Sequence, residues 1–592
     1  MNNCEIYNEK VEKNNKIGSN KIIRVCVIAL SVIGLITFFS LLFPQIRQLV
    51  LDLAEQITNK EILGQEGYSR VILQFAIGGI CTILLFSYCS LTESGRSLAC
   101  SIKQEIKECL LEINFRSLLK PGFLIFIVYL LGTLTIIRAN FSYMDDLGRS
   151  IDGYRHWHYQ SRYLSELASI FIHADTNLTD ISPLPQLLAV LFLTISSVLL
   201  VYIICNKKVT VIKLLASVPL GLSPFFLECL SYKFDAPYMA LSILSSIIPF
   251  LFIARKKAFF FCSIVSVLIM CMTYQAASGV YMLVAVILCF QDWNSRKKTN
   301  KDILQFLGIS VLSFCFALAI YKFVIARPSL FDLEYFSSAM HPLPVLFPET
   351  FNNIKIFSMV IVEDLGITWK VGIVLVCFFF IIKSIFTSKQ NKLFSFLISI
   401  IFIIISFIIS YGIYSLLTIP LFIPRTLYGF GVFLSILCIY IVTDYKNIAK
   451  VIVLALNWSF LVFAFSYGNA LADQARYEEF RAGLLLSDLS SLFPDIDKGN
   501  MYVNFENTID STPLVKNIEK RYPIIKKLAN GRFGGTTWGN YFFKNYNISC
   551  EPYFKHGSNL IDTESFDPPV VLDSYYHTIK SNGVRVLIIL KH

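Results

Sequence analysis

Charge is what this sequence has least of. Asp, Glu, Lys and Arg make up 16% of its 592 residues, against 55% hydrophobic and 14% aromatic. The centres of its long apolar runs are nearly free of acids. That argues against an ion-translocating path, which places acids at mid-membrane depth. No GxGxxG or P-loop opens a helix after a strand, so soluble nucleotide binding has no support. The seven histidines form no HxxxH, and the one HxH, His156-x-His158, would point to different faces of a helix. Of fifteen cysteines, only Cys550 falls in the large polar region after residue 468. No disulfide can form within that region, which excludes an exported disulfide scaffold. There is no repeat of roughly 20–50 residues and no low-complexity tract. The polar tail Met1 to Asn20 is followed late by the first apolar run and lacks a small-residue cleavage site, so no removed signal peptide is expected.

What the chain does have is long apolar runs, with a mean hydropathy of +0.60. Runs of ~18 or more residues are long enough to cross a ~30 Å hydrocarbon core as helices. The pattern predicts a mostly α, polytopic bundle of about 13 spans. They start near Val25, Val71, Phe123, Leu184, Val211, Ala236, Ala258, Gly279, Ile303, Val371, Leu393, Leu427 and Val451. The run 258–290, with Tyr274, Gln275, Ser278 and Gly279 at its middle, reads as one bent hairpin or two spans.

Lys and Arg set the orientation. With the N-terminus inside, the cytoplasmic segments carry Lys10, Lys13, Lys16, Lys21 and Arg24, then Arg96, Lys103, Lys107, Arg116 and Lys120. Further on they carry Lys207/Lys208, Arg255-Lys256-Lys257, Arg296-Lys297-Lys298, Lys389/Lys392 and Lys446/Lys450. This alternation accounts for the net charge of +11 without nucleic acid as a partner. It predicts a multi-pass membrane protein with its C-terminus outside.

Three regions follow. Residues 1–120 hold a cytoplasmic tail, two spans and an amphipathic linker at 92–120. Residues 121–467 hold the remaining spans and two external loops, 138–183 and 325–368. In the first loop, Tyr154, Trp157, Leu164, Leu167, Ala168 and Phe171 recur at helical spacing. They predict an interfacial helix with Trp157 and Tyr163 at headgroup depth. In the second, 349–362 reads as an amphipathic surface segment. Residues 468–592 turn to Tyr, Asn, Asp, Gly and Pro, predicting a small external α+β domain. It would open with an amphipathic helix and carry strands at 501–505 and at the C-terminus.

The densest chemistry lies just after the third run, in NFSYMDDLGRSID. Asp145 and Asp146 sit side by side within about two turns of a span, followed by Arg149, Asp152, Arg155, His156, Trp157, His158 and Arg162. Asp146 and Arg149 are spaced to pair on a helix, but that pairing requires no second carboxylate. A reaction centre at the membrane surface does. Glu228, Tyr232, Lys233 and Asp235 form another polar cluster, and Gln275 and Arg425 stand alone in apolar surroundings. By the predicted topology Asp145, Asp146, Lys233, Gln275 and Arg425 share one membrane face. A carboxylate there can take a proton from a hydroxyl while cations hold a phosphate leaving group. Asp145 and Asp146 could also hold Mg²⁺, but no metal or other cofactor is expected. The competing readings are a lipid-linked sugar flippase, which should show repeats and broken mid-membrane helices, and an O-antigen polymerase, which joins whole repeats.

An ordered set of segments bears on all three readings. MDDLGRSIDGYRHWHYQSRYLSELAS is followed by DISPLPQLLAVLFL, SPFFLECLSYKFDAPYMALSIL, TYQAASGVYM, IPRTLYGFGVF and YGNALADQARYEEFRAGLLLSDL. Over roughly residues 120–580 this set resembles the type II serotype-converting glucosyltransferases of bacterial O-antigen modification. The two spans before residue 120 are extra to the core of that resemblance. The resemblance implies a GT-C-like fold, a polyprenyl-phosphate donor carrying glucose, and a lipid-linked O-antigen acceptor on the periplasmic face. It also implies membrane lipids as surroundings, a separate donor synthase and a separate donor flippase. By the same resemblance Asp145 and Asp146 are the catalytic candidates. Arg149, Arg155, Trp157, Arg162, Tyr232, Lys233, Asp235, Gln275 and Arg425 are the substrate-binding candidates, with the SYKFD segment on the donor side.

Overall fold

The computed structural model describes residues 92–326, 337–443, 447–494, 502–529, 531–534, 537–548, 568–583 and 585–591. The expected spans near Val25 and Val71, and Cys550, lie outside the described residues. Among those described, nine helices are long and apolar enough to cross a membrane, and the chain is a multi-pass membrane protein. Eight of the nine fall on expected spans: Phe115–Ala139, Leu184–Ile204, Lys256–Thr273, Gln275–Asn294, Asn300–Ile325, Ile367–Thr387, Lys392–Ile409 and Asn447–Leu492. The 258–290 run is therefore two helices, parted by a short 3₁₀ turn at Gln275–Ala277.

Three expected spans are not single long helices. The run from Val211 breaks into Val211–Leu222 and Pro224–Ser231, bent by 62°. The cause is local. Pro224 disfavours helical backbone in the residue before it, and Ser223 is extended at ψ 146°. Ala236–Phe252 and Gly429–Val442 are shorter. The second, at ~1.5 Å per residue, reaches roughly 21 Å, less than a ~30 Å hydrocarbon core. Every one of its residues is buried, so its neighbours rather than lipid surround it. A side chain on Gly429 would strike the carbonyl of Ser410, and one on Gly279 that of Ile409. Both glycines let the turn at 410–412 lie directly on the helices that carry them.

The helix ends sort into two sets. At one end Glu105 accepts from the Ala258 amide, Arg255 pairs with Glu108, Lys207 with Glu112, and the Lys389 amide donates to Asn294. This is the lysine-rich end. At the other end lie 138–183, 232–235, 273–275, 337–343 and 410–426, joined by the contacts described below. Helix Leu343–Asp364, expected as an amphipathic segment over 349–362, is the ninth that is long and apolar enough to cross a membrane. Its contacts place it across this second end. Asn353 donates to the carbonyls of Ser415 and Leu417, Phe357 stacks on Tyr411, and Asp364 pairs with Lys527.

The boundary expected between residues 467 and 468 falls inside a helix. Asn447–Leu492 is one helix of 46 residues, roughly 69 Å at ~1.5 Å per residue and more than twice the ~30 Å needed to cross. Its far half belongs to a C-terminal α+β unit, as composition predicted. Strands β3 (Tyr502–Glu506), β4 (Val570–Asp573), β5 (His577–Ser581) and β6 (Arg585–Leu590) form a sheet in the order β3-β6-β5-β4. Strands β3 and β6 run parallel and the other pairs antiparallel. The two strands expected from sequence thus pair with each other, β3 at the edge of the sheet and β6 inside it. A shorter pair, β1 (Ser337–Met340) and β2 (Leu417–Ile419), joins two loops at the same end of the bundle.

The expected interfacial helix over 154–171 is interrupted. Trp157–Gln160 is a 3₁₀ turn and Tyr163–His173 a separate helix. Leu167 and Phe171 remain exposed, but Trp157 does not. It lies under the Arg149 guanidinium, 4.1 Å from ring centre to Cζ, and its indole N–H donates to Asp235. The headgroup placement expected for Trp157 is corrected by this buried hydrogen bond and cation–π contact.

Candidate active site

Helix Phe115–Ala139 ends because Asn140 turns left-handed, at φ 48°, a conformation Asn tolerates better than most residues. After five residues the chain re-enters a short helix, Asp145–Asp152, with both carboxylates in its first turn. There they suit the positive end of the helix dipole. The two acids have different surroundings. Asp146 is fully buried. One of its oxygens accepts from the amides of Tyr143 and Lys233 at 3.0 Å, and the other from Phe234 at 3.4 Å. Burial pushes its carboxyl up to about 8, against the opposing pull of those donors. It fastens the acidic helix to the 232–235 segment. Asp145 is only partly buried and, among the described residues, accepts no hydrogen bond and joins no ion pair. Burial raises its carboxyl also, while Arg149, Arg425 and Arg162 act on it in the opposite sense.

Those three arginines are held in different ways. Arg149 is buried, with Nη1 3.0 Å from Asp235, so the i,i+3 pairing with Asp146 suggested by spacing is replaced by this cross-loop pair. Arg425 uses its own amide and Nη1 on the two oxygens of Glu228, the latter at 3.0 Å, and lies 5.2 Å from the Tyr232 ring. Tyr143 Oη also reaches Glu228, at 3.5 Å, and its ring meets Tyr232 edge-on at 4.9 Å. Arg162 donates from Nε to Gln275 at 3.2 Å and sits 4.3 Å over Tyr274. Gln275 is itself fixed by the Gln160 carbonyl and Tyr321 hydroxyl. Among the described residues neither Arg162 nor Arg425 places its remaining guanidinium nitrogens on a protein acceptor. Each keeps donors for a ligand.

Other expected residues are engaged elsewhere. The Lys233 ammonium bonds Asn140 at 2.7 Å and Asp180 at 2.8 Å, so the Lys–Asp contact within its own segment does not form. Arg155 pairs with Glu166 at 3.2 Å. Tyr232 and Asp235 remain in the group, the first under Arg425 and the second between Arg149 and Trp157. Glu228, Tyr143 and Tyr274 were given no role from sequence. Sequence groups Glu228 with Tyr232, Lys233 and Asp235, but its partner Arg425 is 197 residues away. Among the described residues no cluster of three or more His, Cys, Asp or Glu is placed to hold a metal ion.

The sequence matches the family model "Glucosyl transferase GtrII" over residues 134–436, just over half of the chain. The chain belongs to this family. It is therefore a glycosyltransferase. The matched stretch contains both carboxylates, all three arginines and Glu228. The chain is also similar to a Salmonella phage P22 protein described as an uncharacterized 55.3 kDa protein in the gtrB 5' region. The two are 24% identical over 481 residues, covering 74% of this chain and 96% of the phage protein. No solved structure matches the chain at a significant level.

Proposed function

We propose that this family member transfers a single glucose from a polyprenyl-phosphate donor to lipid-linked O-antigen at the periplasmic face of a bacterial inner membrane. The reading is carried by the Asp145 carboxylate, unpartnered among the described residues and facing the electrostatic influence of Arg149, Arg162 and Arg425. Asp145 takes the proton of an acceptor hydroxyl as its oxygen attacks the anomeric carbon. The bond from that carbon to the phosphate oxygen breaks, and the lipid phosphate leaves with the bonding electrons. Arg162 and Arg425 receive it through their free donors, a geometry suited to phosphate oxygens. One displacement inverts the anomeric centre, so a β-linked donor gives an α-linked branch. Arg149 holds Trp157 and Asp235 in place beside the reacting groups. A GT-C-like arrangement, with the acid on the first large external loop of a multi-pass bundle, belongs to the same proposal. So do a synthase and a flippase that supply the donor.

The test is purified protein given a polyprenyl-phosphate hexose and a lipid-linked repeat. An acceptor mass gain of one hexose is expected. Translocation without mass gain would replace this reading with a flippase, and a gain of whole repeats would replace it with a polymerase. The orientation is tested separately. Reporters inserted near Asp175 and fused after His592 are expected to read external, and one near Lys298 cytoplasmic, because Arg296, Lys297, Lys298 and Lys301 resist export. A cytoplasmic reading at Asp175 would place Asp145 in the wrong compartment and end the proposal.

A further inference from the structure

The acidic helix is followed by a loop whose aromatic rings no step above employs. Gly153 closes that helix at φ 68°, where a side chain would run into Asn177. His156 and Ser161 then adopt φ of 56°, a left-handed setting that non-glycine residues disfavour. These turns bring rings together. Tyr154 and His156 stack with centroids 4.5 Å apart and planes 20° apart, and His156 meets Tyr159 at 4.8 Å. His156 is exposed, and Tyr154 and Tyr159 are partly so.

The row extends into the C-terminal unit. A β-carbon on Gly148 would stand 2.6 Å from Tyr154 Oη and 3.1 Å from the Tyr541 ring. Both tyrosines therefore meet over Gly148, one helical turn from Asp145. Lys544 pairs with Asp152 beside them, tying the C-terminal unit to the acidic helix. Of the other aromatics in that stretch, Phe533 is buried among Phe505, Phe542 and Phe543 and is unavailable to a ligand.

We propose that Tyr541, Tyr154, His156 and Tyr159 form a saccharide-binding shelf that holds the acceptor glycan with its reacting hydroxyl at the Asp145 end. The proposal rests on the glycosyltransferase reading and adds to it where the acceptor lies. The chemistry favours a glycan. Tyr154 and His156 cover each other's inner faces, so the row offers a glycan its outer ring faces, on which sugar C–H faces pack, and the phenol and imidazole groups along its edge, which pair with sugar hydroxyls. A lipid tail would need aliphatic walls, which this row lacks, and an anionic ligand would need a cation, while Lys544 is already paired with Asp152. Two successive ring-to-ring steps of 4.5 and 4.8 Å make the row longer than one sugar ring, so it suits an oligosaccharide better than a monosaccharide.

The probe is an oligosaccharide of two or more repeats released from the host strain's O-polysaccharide. Its binding to the detergent-solubilised full chain is read by saturation-transfer NMR without donor, and its lipid-linked form is used in the transfer assay. The variant H156A/Y159A is expected to raise the acceptor KM about tenfold, the scale of one or two lost ring contacts. Donor KM and kcat at saturating acceptor should stay within about twofold on the same scale. His156→Phe, which keeps a ring, should restore much of the binding. Thermal unfolding of each variant separates a lost contact from a lost fold. If H156A/Y159A misfolds, the single variants Y159A and Y541A replace it. An unchanged acceptor KM in folded variants, or wild-type protein that binds no oligosaccharide, overturns the shelf. Wild-type protein that binds the oligosaccharide but transfers nothing overturns the transfer reading and leaves the shelf standing.

Discussion

Replacing Asp145 with Asn is expected to lower glucose transfer at least ~100-fold, the lower end of what a lost general base removes, while leaving the protein folded. The side chain has no partner among the described residues, so the isosteric amide breaks no contact. Asp146→Asn should behave differently. Its carboxylate receives the amides of Tyr143, Lys233 and Phe234, and an amide nitrogen turned toward any of them sets donor against donor. A buried donor left unsatisfied costs about 1–3 kcal/mol, so a lower thermal midpoint in detergent should accompany its loss of transfer. The pH profile provides a further check. The base works deprotonated, and burial raises the Asp145 carboxyl above its ordinary value. Transfer should therefore fall as pH drops, with a midpoint above the usual aspartate range. Wild-type rates in folded Asp145→Asn would remove this residue from the mechanism.

The second large effect is expected at the two arginines with free donors. Arg162→Ala and Arg425→Ala should each raise the donor KM by about tenfold or more, since a hydrogen bond to a charged group contributes roughly 1.5–3 kcal/mol. Together they should reduce kcat/KM by at least ~100-fold. Arg425 carries a further cost, because its removal leaves Glu228 buried without a counter-charge, a change that destabilises by about 3–5 kcal/mol. Pairing Arg425→Ala with Glu228→Gln should recover stability without recovering donor binding. Arg162 lacks that complication, since its partner is the neutral amide of Gln275. If donor KM is unchanged in folded Arg162→Ala, the phosphate is held elsewhere.

Much of the bundle was legible because apolar length is a local property. Phe115–Ala139 and Lys392–Ile409 each carry their own signal, as do β3 and β6. What sequence periodicity missed was set by partners far along the chain or by single backbone positions. The composition turns polar after residue 468, inside helix Asn447–Leu492, and marks a change of region without ending the helix. The helix continues because Glu478 and Arg481 are satisfied from the C-terminal unit, the first by Arg532 and the second by carbonyls of Tyr576 and Lys591. Trp157 looked like a headgroup anchor from its neighbours alone, since nothing local announces Asp235. The acidic pair was visible at once, but its division of labour was not. Asp146 is a fastener only because residues 233–234 come to it from 87 positions away or more, and no spacing rule predicts that.

Helix Asn447–Leu492 also sets how the two halves of the molecule face each other. A continuous helix transmits rotation, since each residue advances about 100° around the axis. The direction in which Glu478 meets Arg532, and through Arg532 the ring of Phe141, is fixed by where Phe460 and Phe463 lock against Trp369 far below. The C-terminal unit is thus phased to the bundle like a bit on a shaft, not hung from a tether. Adding or removing one residue between the two locks would turn the C-terminal unit by about 100° and carry Tyr541 away from Gly148.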